Sequence, residues 1–543
     1  MRVPRAAVAR LLPQRSDYAE LPRTWRRDAL AGITVGVVAL PLALAFGISS
    51  GVGPAAGLIT AVVAGVVAAV FGGSHVQVSG PTGAMAVVLA PIVAQHGVGS
   101  VALVTVAAGL LVLAAGVTGL GRAVTFLPWP VIEGFTLGIA AIIFLQQVPA
   151  AFGGSAPAGA SPLAASWDVL GRVDWSTAAP ALLVTATVAV VMIGLPYVHP
   201  AIPGSLVAVA AATILATMVD APLALIGELP SRLSAPILPR AELAAVPSLF
   251  GAALAIAALA AIESLLSARV AATMSASGAY DPDRELVGQG LASVASGVFG
   301  GMPATGAIAR TAVNVRSGAR TRVSAITHAV LLLGVVYLAT GPVSHIPLCA
   351  LAAVLMVTSF RMISGHTITT ICRSSRSDAA TFVLTAVITV CFDLVEAVMI
   401  GIVVAAFFAL RSVARRSTVT REEIPGPRRP GDERIALLRL DGAMFFGAAE
   451  RISSTITDAE TSQISVVIIR MSQLGMLDAT GAHTLGRIVA ELESRGITVI
   501  IKGVQAEHRA LLANVGAIDA LRHENHLVDT LDSAVAHARS HVG

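Results

Sequence analysis

Residues 29–121 form a run of 93 residues that contains no Asp, Glu, Lys or Arg. Since a helix needs about 20 apolar residues to cross a bilayer, this run alone has room for about four crossings. The whole chain of 543 residues is 55% hydrophobic and 13% charged, whereas soluble chains average about 25% charged. Three cysteines are too few for a disulfide scaffold. The composition therefore excludes a soluble enzyme and a disordered chain, and it predicts a polytopic α-helical membrane protein.

Uncharged stretches continue at intervals as far as residue 410, and Gly, Pro and polar breaks divide this part of the chain into fourteen apolar segments. The third and tenth segments are shorter than the others, and each follows a break rich in Gly, Pro, Ser or Thr. We predict membrane-spanning helices near residues 29–47, 55–72, 82–95, 99–120, 130–149, 177–195, 201–219, 247–268, 285–300, 305–316, 322–341, 347–360, 377–392 and 396–413.

The positions of the arginines predict how the chain is oriented, because cytoplasmic loops of membrane proteins carry an excess of Lys and Arg. An even number of spans places both termini on one side. If residues 1–27 are a cytoplasmic segment, the inner loops carry Arg122, Arg269, Arg284, Arg316, Arg320, Arg322, Arg361, Arg373 and Arg376, and the outer loops carry Arg172, Arg232 and Arg240. We therefore expect cytoplasmic termini in the plasma (inner) membrane, and we read the net charge of +4 as a topology signal without a nucleic-acid partner.

The composition of the sequence changes after the last apolar segment. Residues 28–414 form the predicted transmembrane domain, and residues 415–433 are rich in Pro and Gly, which predicts a linker. From residue 434 to 543 the chain has the pattern of a small soluble α/β domain. Its strand candidates are 435–440, 466–471 and 497–501, and its helix candidate is 482–495.

Two interrupted segments occupy matching positions in the two halves of the membrane region. They read VQVSGPTGA at 76–84 and FGGMPATGA at 299–307, and each precedes a short apolar helix. Such paired interruptions are the best sequence indication of a transporter binding site. A half-helix that begins inside the membrane presents unpaired N–H groups and a positive dipole end, so two facing ends would bind an anion. The alternative is a pair of loops outside the bilayer, or close helix packing through glycine.

Two charged residues fall inside predicted spans, where charge is costly and usually functional. Arg310 would supply a fixed cation behind the anion site; alternatively, it bonds backbone carbonyls or extends toward the inner surface. Glu263 could bind a coupling proton, or Na⁺ together with the hydroxyls of Ser264 and Ser267. The alternative for Glu263 is a buried ion pair with Arg310. No other metal site is predicted, because the histidines of the membrane region lack ligand spacing.

The membrane region resembles the SulP anion-permease family over nearly its whole length. The matching sequences are DALAGITV at 28–35, GVGPAAGL at 51–58, EGFTLG at 133–138, ELVGQG at 285–290, FGGMP at 299–303, RTAVN at 310–314, SGART at 317–321 and DLVEA at 393–397. The resemblance implies fourteen spans in two inverted seven-span repeats, with a gate and a core domain. It also implies an anion site between the third and tenth half-helices, with the first and eighth spans alongside, and a homodimer.

This resemblance places the substrate on the two half-helix ends and on the first span. The expected substrate-binding residues are Phe46, Ser79, Gly80, Thr82, Gly83, Ala84, Ala304, Thr305, Gly306, Ala307 and Arg310. The chain departs from the family pattern at Leu42, which stands where Gln is frequent, and at Ser293, where Asn is common. It also has Glu263 where the similar bicarbonate-transporting branch has Asp and couples to Na⁺, so Na⁺ geometry does not transfer directly.

The C-terminal domain resembles a STAS domain. LDG at 440–442, FFGAA at 445–449 and LDATG at 477–481 carry the resemblance. In stand-alone STAS proteins the last of these loops carries a phosphorylated hydroxyl, and Thr480 occupies the matching position beside Asp478. The alternative for Thr480 is the N-cap of the following helix.

The leading hypothesis is a secondary active transporter that moves sulfate or bicarbonate with H⁺ or Na⁺ and needs no cofactor. An anion channel or exchanger for chloride or bicarbonate and a dicarboxylate:proton symporter remain open on the same fold. A membrane-tethered regulator that acts through the STAS domain is an alternative of another class. An enzyme is not expected, because the sequence offers no nucleophile–base pair, metal set or phosphate loop.

Overall fold

A computed structural model describes residues 10–122, 128–155, 161–198, 203–219, 223–229, 232, 235–236, 246–275, 280–391, 394–445 and 463–542. Arg240, Asp393 and residues 446–449, which were singled out above, lie outside these ranges. The first half of the membrane region contains α1 (Leu21–Ser49), α2 (Pro54–Phe71), β1 (Ser79–Gly80), α3 (Gly83–His96), α4 (Gly99–Val117), α5 (Trp129–Ala151), α6 (Pro162–Gly171), α7 (Trp175–Val198) and α8 (Gly204–Val219). The second half contains α9 (Val246–Met274), α10 (Pro282–Val298), β2 (Thr305–Gly306), α11 (Ile308–Arg316), α12 (Val323–Leu338), α13 (Thr340–Ser344), α14 (Leu348–Met362), α15 (Gly365–Ser374), α16 (Arg376–Cys391) and α17 (Leu394–Arg416).

Each of the fourteen predicted apolar segments contains a helix, and α6, α13 and α15 lie between them. Among the described residues, seven helices are long and apolar enough to cross a membrane by length and composition. Three further apolar helices in the described part of the chain are shorter, and α3 and α12 are two of them. The number of spans stays a prediction.

The same order of elements occurs twice in the membrane region. Helix, helix, two-residue strand, short helix and helix describe both α1-α2-β1-α3-α4 and α9-α10-β2-α11-α12. These ten elements pack mainly on one another and form a core group, whereas α5, α7, α8, α14 and α16 pack mainly among themselves and form a gate group. The repeated order places the two interrupted segments at equivalent points of the two halves.

The ELVGQG sequence lies on α10, where its glycines allow helices to approach closely. A Cβ atom on Gly288 would lie 2.4 Å from Gly72 Cα, and one on Gly290 would lie 2.5 Å from Leu113 N. Since neither contact leaves room for a side chain, α10 packs directly against the end of α2 and against α4. This close packing fixes the position of the loop that leads into β1.

The C-terminal unit is a six-stranded sheet with helices. It contains β3 (Thr418–Glu422), β4 (Ile435–Met444), β5 (Val466–Arg470), β6 (Leu474–Leu477), α18 (Ala479–Ser494), β7 (Thr498–Lys502), α19 (Ala506–Asn514), β8 (Leu527–Val528) and α20 (Leu531–Ser540). The order is β3-β4-β5-β7-β8, with β6 paired to β4. Only β3 pairs antiparallel. The strand β3 lies within the predicted linker 415–433, so the sheet extends further toward the N-terminus than the sequence indicated.

Asp17 joins the N-terminal segment to two arginines of the core group. Its carboxylate accepts hydrogen bonds from Arg284 Nη1 at 3.0 Å and Nη2 at 2.5 Å, and Arg322 Nε lies 3.6 Å from Asp17 Oδ2. Burial alone would raise the pKa of Asp17, but hydrogen bonds from Arg284 and from the backbone of Gln14, with the charge of Arg322, lower it from 3.8 to about 2. Because the pKa is lowered, this carboxylate stabilises the fold above its ordinary pKa, and the contribution is lost as the pH falls toward 2.

We expect Asp17→Asn to lower the free energy of unfolding by about 1.5–3 kcal/mol near neutral pH, because two buried arginines lose a charged acceptor. The measurement is the thermal midpoint of the detergent-solubilised protein. The difference from wild type should shrink as the pH is lowered below the ordinary carboxyl pKa of 3.8. Asp168→Asn is the control, because it breaks an exposed pair with Arg172 that is worth about 0–1 kcal/mol. A loss no larger than that of the control would contradict the structural role of Asp17.

Candidate functional site

The two interrupted segments meet in the middle of the core group. The strands β1 and β2 pair antiparallel, with Ser79 opposite Gly306 and Gly80 opposite Thr305, and all four residues are buried. We call this pair, together with the first turns of α3 and α11, the strand crossing. Because the pairing is antiparallel, the two half-helices leave the crossing from opposite ends of the ladder.

Both half-helices begin at the crossing without a side-chain cap. The N-cap residues Thr82 and Ala307 are extended, and neither makes a side-chain hydrogen bond to the first turn. The first-turn N–H groups of α3 and α11 therefore add to the positive dipole ends that favour an anion. Phe46 of α1 borders this position, because a Cβ atom on Gly83 would lie 3.3 Å from Phe46 Cε1.

Several groups expected to face the substrate are bonded within the protein instead. The N–H groups of Gly306 and Ala307 donate to Ser264 Oγ at 3.1 Å and to the Val78 carbonyl at 2.9 Å. The N–H of Ala304 donates to Ser293 Oγ at 3.3 Å. These bonds position β2, which leaves the N–H groups from Ile308 onward, and those of Gly83 and Ala84, as the candidate anion donors.

Glu263 of α9 is joined to both interrupted segments. Thr82 Oγ1 donates to Glu263 Oε2 at 2.9 Å, and Thr305 Oγ1 donates to the same oxygen at 2.8 Å. The two hydroxyl oxygens lie 3.1 Å apart. Thr82 and Thr305 were expected to contact substrate; in this arrangement their hydroxyls bind the carboxylate.

Ser264 and Ser267 were expected to join Glu263 in a cation site, and both make hydrogen-bond contacts with other groups. Ser264 Oγ accepts from the N–H of Gly306, and Ser267 Oγ lies 3.3 Å from Thr311 Oγ1 of α11. Their part in binding a cation stays a prediction.

Arg310 is almost completely buried, with 2% of its surface exposed. Its Nη2 donates to the carbonyl of Pro81, across the crossing. Within the described part of the chain, its Nη1 has no hydrogen-bond acceptor, and Arg310 forms no ion pair with Glu263. A Cβ atom on Gly80 would lie 2.8 Å from this Nη1. One nitrogen of the guanidinium, Nη2, therefore has a structural role through its bond to a backbone carbonyl. The other, Nη1, remains as a donor for an anion.

A buried polar network that the sequence did not predict supports β1 from α10. Gln289 Nε2 donates to Ser79 Oγ at 2.6 Å and to Glu285 Oε1 at 2.9 Å. Glu285 Oε2 in turn accepts from the N–H groups of Gly73 and Ser74 at 2.8 and 2.9 Å. Glu285 and Gln289 lie in the ELVGQG sequence, so their spacing of four residues on a helix was the available signal.

The loop before α18 contains the candidate regulatory residues of the C-terminal unit. Asp478 is the N-cap of this helix, and its carboxylate accepts from the N–H of Gly481 at 2.7 Å. Thr480 is the second residue of the helix and is exposed. Thr480 is therefore not the N-cap; its phosphorylation stays a prediction.

A separate cavity of about 740 Å³ lies between α5, α7 and α14. Its lining is mostly apolar, with Phe144, Ala353 and Phe360 among the residues, and it contains none of the candidate site residues. The chemistry described above belongs to the crossing and not to this cavity.

Two half-helices that meet at the centre of repeated halves, with buried charged residues beside them, are the arrangement in which many membrane transporters place their substrate site. The chain belongs to the sulfate permease family, whose family model matches residues 25–385, and a STAS domain model matches residues 427–534. It is therefore a member of a family of inorganic-anion transporters and not an enzyme. This result confirms the family and the fold class that the sequence predicted.

The chain is similar to named relatives over nearly its full length. It is 34% identical to YvdB of Bacillus subtilis, which is provisionally named a sulfate transporter, over 91% of this chain and 94% of that protein. It is 31% identical to the bicarbonate transporter BicA of Synechocystis over 90% of each. The two names report different anions.

Solved structures support the same fold. The transmembrane domain of a cyanobacterial bicarbonate transporter BicA matches 71% of this chain and 98% of its own length, with 29% identity and a TM-score of 0.62. Murine Solute Carrier 26 family member A9, an anion transporter, matches 99% of this chain and 96% of its own, with a TM-score of 0.85. Because its identity is 16%, the murine structure supports the fold alone.

We expect Thr82→Val and Thr305→Val each to destabilise the protein by about 1.5–3 kcal/mol, because each removes a hydrogen bond to the same carboxylate. In a double-mutant cycle the two effects should not be additive, because the hydroxyls share one acceptor and touch one another. Thermal unfolding of the detergent-solubilised variants measures the cycle. Thr358→Val, which removes only a bond to the backbone of its own helix, is the matched control and should change the stability little, because such a bond adds no net stability to a helix. Additive losses would show that the shared contact on Glu263 is not formed.

Proposed function

We propose that the chain is a secondary active transporter that moves sulfate or bicarbonate across the plasma membrane and couples this movement to a cation bound at Glu263. The observation that carries the proposal is that one carboxylate contacts both interrupted segments, through Thr82 and Thr305. The anion would lie at the ends of α3 and α11, beside Phe46 and the free Nη1 of Arg310.

The charges at the crossing provide a reason for coupling. The half-helix ends and Arg310 attract an anion, whereas an ionised Glu263 beside them repels it. A cation bound at Glu263 removes this repulsion, so binding of the cation and of the anion should favour each other. The linkage is reciprocal, and it converts a cation gradient into anion accumulation when the loaded core group moves against the gate group.

A proton fits the geometry better than Na⁺. The contacts of Glu263 Oε2 with the two hydroxyls, at 2.8 and 2.9 Å, are hydrogen-bond distances in which the hydroxyls donate. Ser264 and Ser267, which would complete a Na⁺ shell, make contacts with Gly306 and with Thr311. Na⁺ remains the second candidate because three oxygens, from Glu263, Thr82 and Thr305, lie within 3.1 Å of one another.

The relatives support the choice of substrate, since their names report sulfate for YvdB and bicarbonate for BicA. Both are small oxyanions that several N–H donors can bind at once. Exchange of chloride or bicarbonate, or symport of a dicarboxylate, would use the same helix ends. We further propose a homodimer with both termini in the cytoplasm, on the basis of the family resemblance and of the arginine-rich inner loops.

We expect an inward proton gradient to stimulate uptake of labelled sulfate into proteoliposomes that contain the wild-type protein, because protonation of Glu263 favours anion binding. Glu263→Gln should abolish this response and retain anion binding, because the amide imitates a neutral carboxyl. Bicarbonate uptake is measured at constant pH under an imposed Na⁺ gradient, since a pH gradient would itself interconvert bicarbonate and CO₂.

The control for this experiment is Glu228→Gln, which changes an exposed acid outside the crossing and should leave gradient-driven uptake unchanged. Stimulation by Na⁺ instead of protons would identify the second candidate. Wild-type flux that ignores both gradients would contradict coupling, and the absence of flux for both anions would contradict the proposed function.

We expect Arg310→Gln to weaken sulfate or bicarbonate binding about ten- to a hundredfold, because a charge-assisted hydrogen bond to the anion is worth about 1.5–3 kcal/mol. Arg310→Lys should recover part of the affinity, since it restores the charge without the planar fork. Arg316→Gln is the matched control at the exposed end of α11. Titration of the purified protein with each anion measures the effect. Unchanged affinity in a folded Arg310→Gln variant would remove Arg310 from the site.

A further inference from the structure

Four histidines near the C-terminus have a regular spacing. They are His523, His526, His537 and His541, which gives the pattern H-x2-H-x10-H-x3-H. His523 is the N-cap of the 3₁₀ turn Glu524–His526 before β8, and His526 is the last residue of this turn. His537 lies in the last turn of α20, and His541 is the C-cap of that helix. Histidines at i and i+4 of a helix share one face, so the spacing of His537 and His541 is typical of a pair of metal ligands.

The fold brings three of these imidazoles into one cluster. The ring centres of His526 and His537 lie 5.2 Å apart, those of His526 and His541 lie 5.5 Å apart, and those of His537 and His541 lie 5.0 Å apart. One nitrogen from each ring lies within 4.8 Å of the others. The ring of His523 is 5.6 Å from that of His526.

These distances are close to those of a three-histidine zinc site. With Zn–N bonds of about 2.0 Å and tetrahedral angles, bound imidazole centres lie about 5 Å apart and the ligand nitrogens about 3.3 Å apart. The ring centres are therefore already at the required separation. Small rotations of the side chains bring the nitrogens from within 4.8 Å to bonding positions.

The cluster also contains ring nitrogens that lack a hydrogen-bond partner. His526 is 1% exposed, and its Nδ1 is buried without a partner within the described ranges. The same holds for Nε2 of His537. Buried polar atoms are rarely left unsatisfied in proteins, and a bound cation would satisfy both of these nitrogens.

The charges around the cluster are compatible with a cation. The adjacent Arg522 is paired with Glu493, whose Oε2 lies 2.7 Å from its Nε. Neutral imidazole is the form that binds transition metals.

We propose that His526, His537 and His541 bind one zinc ion in the C-terminal domain, with a water or His523 in the fourth position. Three imidazoles suit zinc, and Cu²⁺ and Ni²⁺ also prefer such nitrogen ligands. The sequence predicted no metal site here, because His526 meets His537 and His541 only in the folded domain.

Zinc at this position would hold the end of α20 to the turn before β8. One face of α20 already packs on the sheet through Ala534, Val535 and Ala538. The metal would fix the adjacent face, so that the last turn of the helix is closed by a ligand set as well as by apolar packing.

The test is a titration of the purified, metal-free full-length protein with ZnCl₂. We expect about one zinc ion per chain and a rise in the thermal midpoint on zinc addition, because a ligand that binds only the folded state stabilises it. The double variant His537→Gln, His541→Gln should bind zinc at least about tenfold more weakly, as expected when ligation is disrupted. It should also lose the zinc-dependent rise. With Co²⁺ in place of zinc, the wild type should show the visible absorption of a tetrahedral site.

The matched control is His483→Gln, which changes an exposed histidine on α18 of the same domain and should bind zinc like the wild type. The midpoint of each variant without metal reports whether it is folded. Equal zinc affinity in the wild type and in the folded double variant would overturn the proposal, as would the absence of stoichiometric binding to the wild type. In the latter case the rings are packed only edge to face.

Discussion

One carboxylate oxygen, Glu263 Oε2, connects the two halves of the membrane domain at their centre. It accepts one hydrogen bond from a hydroxyl of the first interrupted segment and one from a hydroxyl of the second, where β1 and β2 pair. The surrounding structure serves to position this point. Gln289 and Glu285 support β1 and the loop before it through hydrogen bonds. Because Gly288 and Gly290 have no side chains, α10 packs closely enough for these hydrogen bonds to form.

Glu263 and Arg310 both contact the same crossing, but they do not pair with each other among the described residues. A direct ion pair would satisfy both charges and leave little reason for either to bind anything else. Each is held instead by neutral partners, two hydroxyls for Glu263 and the carbonyl of Pro81 for Arg310. The arrangement therefore keeps one negative and one positive group available in a region of low polarity, where the proposed coupling of a cation to an anion would use both.

Hydropathy predicted the fourteen apolar helices, and the two Gly/Pro-rich breaks predicted which segments form the candidate site, because both depend on residue type along the chain. The helices α6, α13 and α15 were not predicted. The partners of individual side chains depend on the rotation of a helix about its axis, which the sequence does not record. Ser264 and Ser267 were for this reason expected beside Glu263, and the sequence did not indicate their contacts with Gly306 and Thr311. The strand β3 was also missed, because this edge strand is largely polar and its pairing with β4 closes a long loop that is rich in Pro and Gly.

The pairing of β1 with β2 has a consequence for the biogenesis of the protein. Thr82 and Thr305 are separated by 223 residues, and a ribosome that adds about 5–20 residues per second needs about 10–45 s to make that length. During this interval the first interrupted segment exists without its partner strand, and unsatisfied backbone groups are unfavourable in lipid. The first half must therefore wait in a sheltered or partly hydrated state, and the binding site comes into being only when the second half of the chain has entered the membrane.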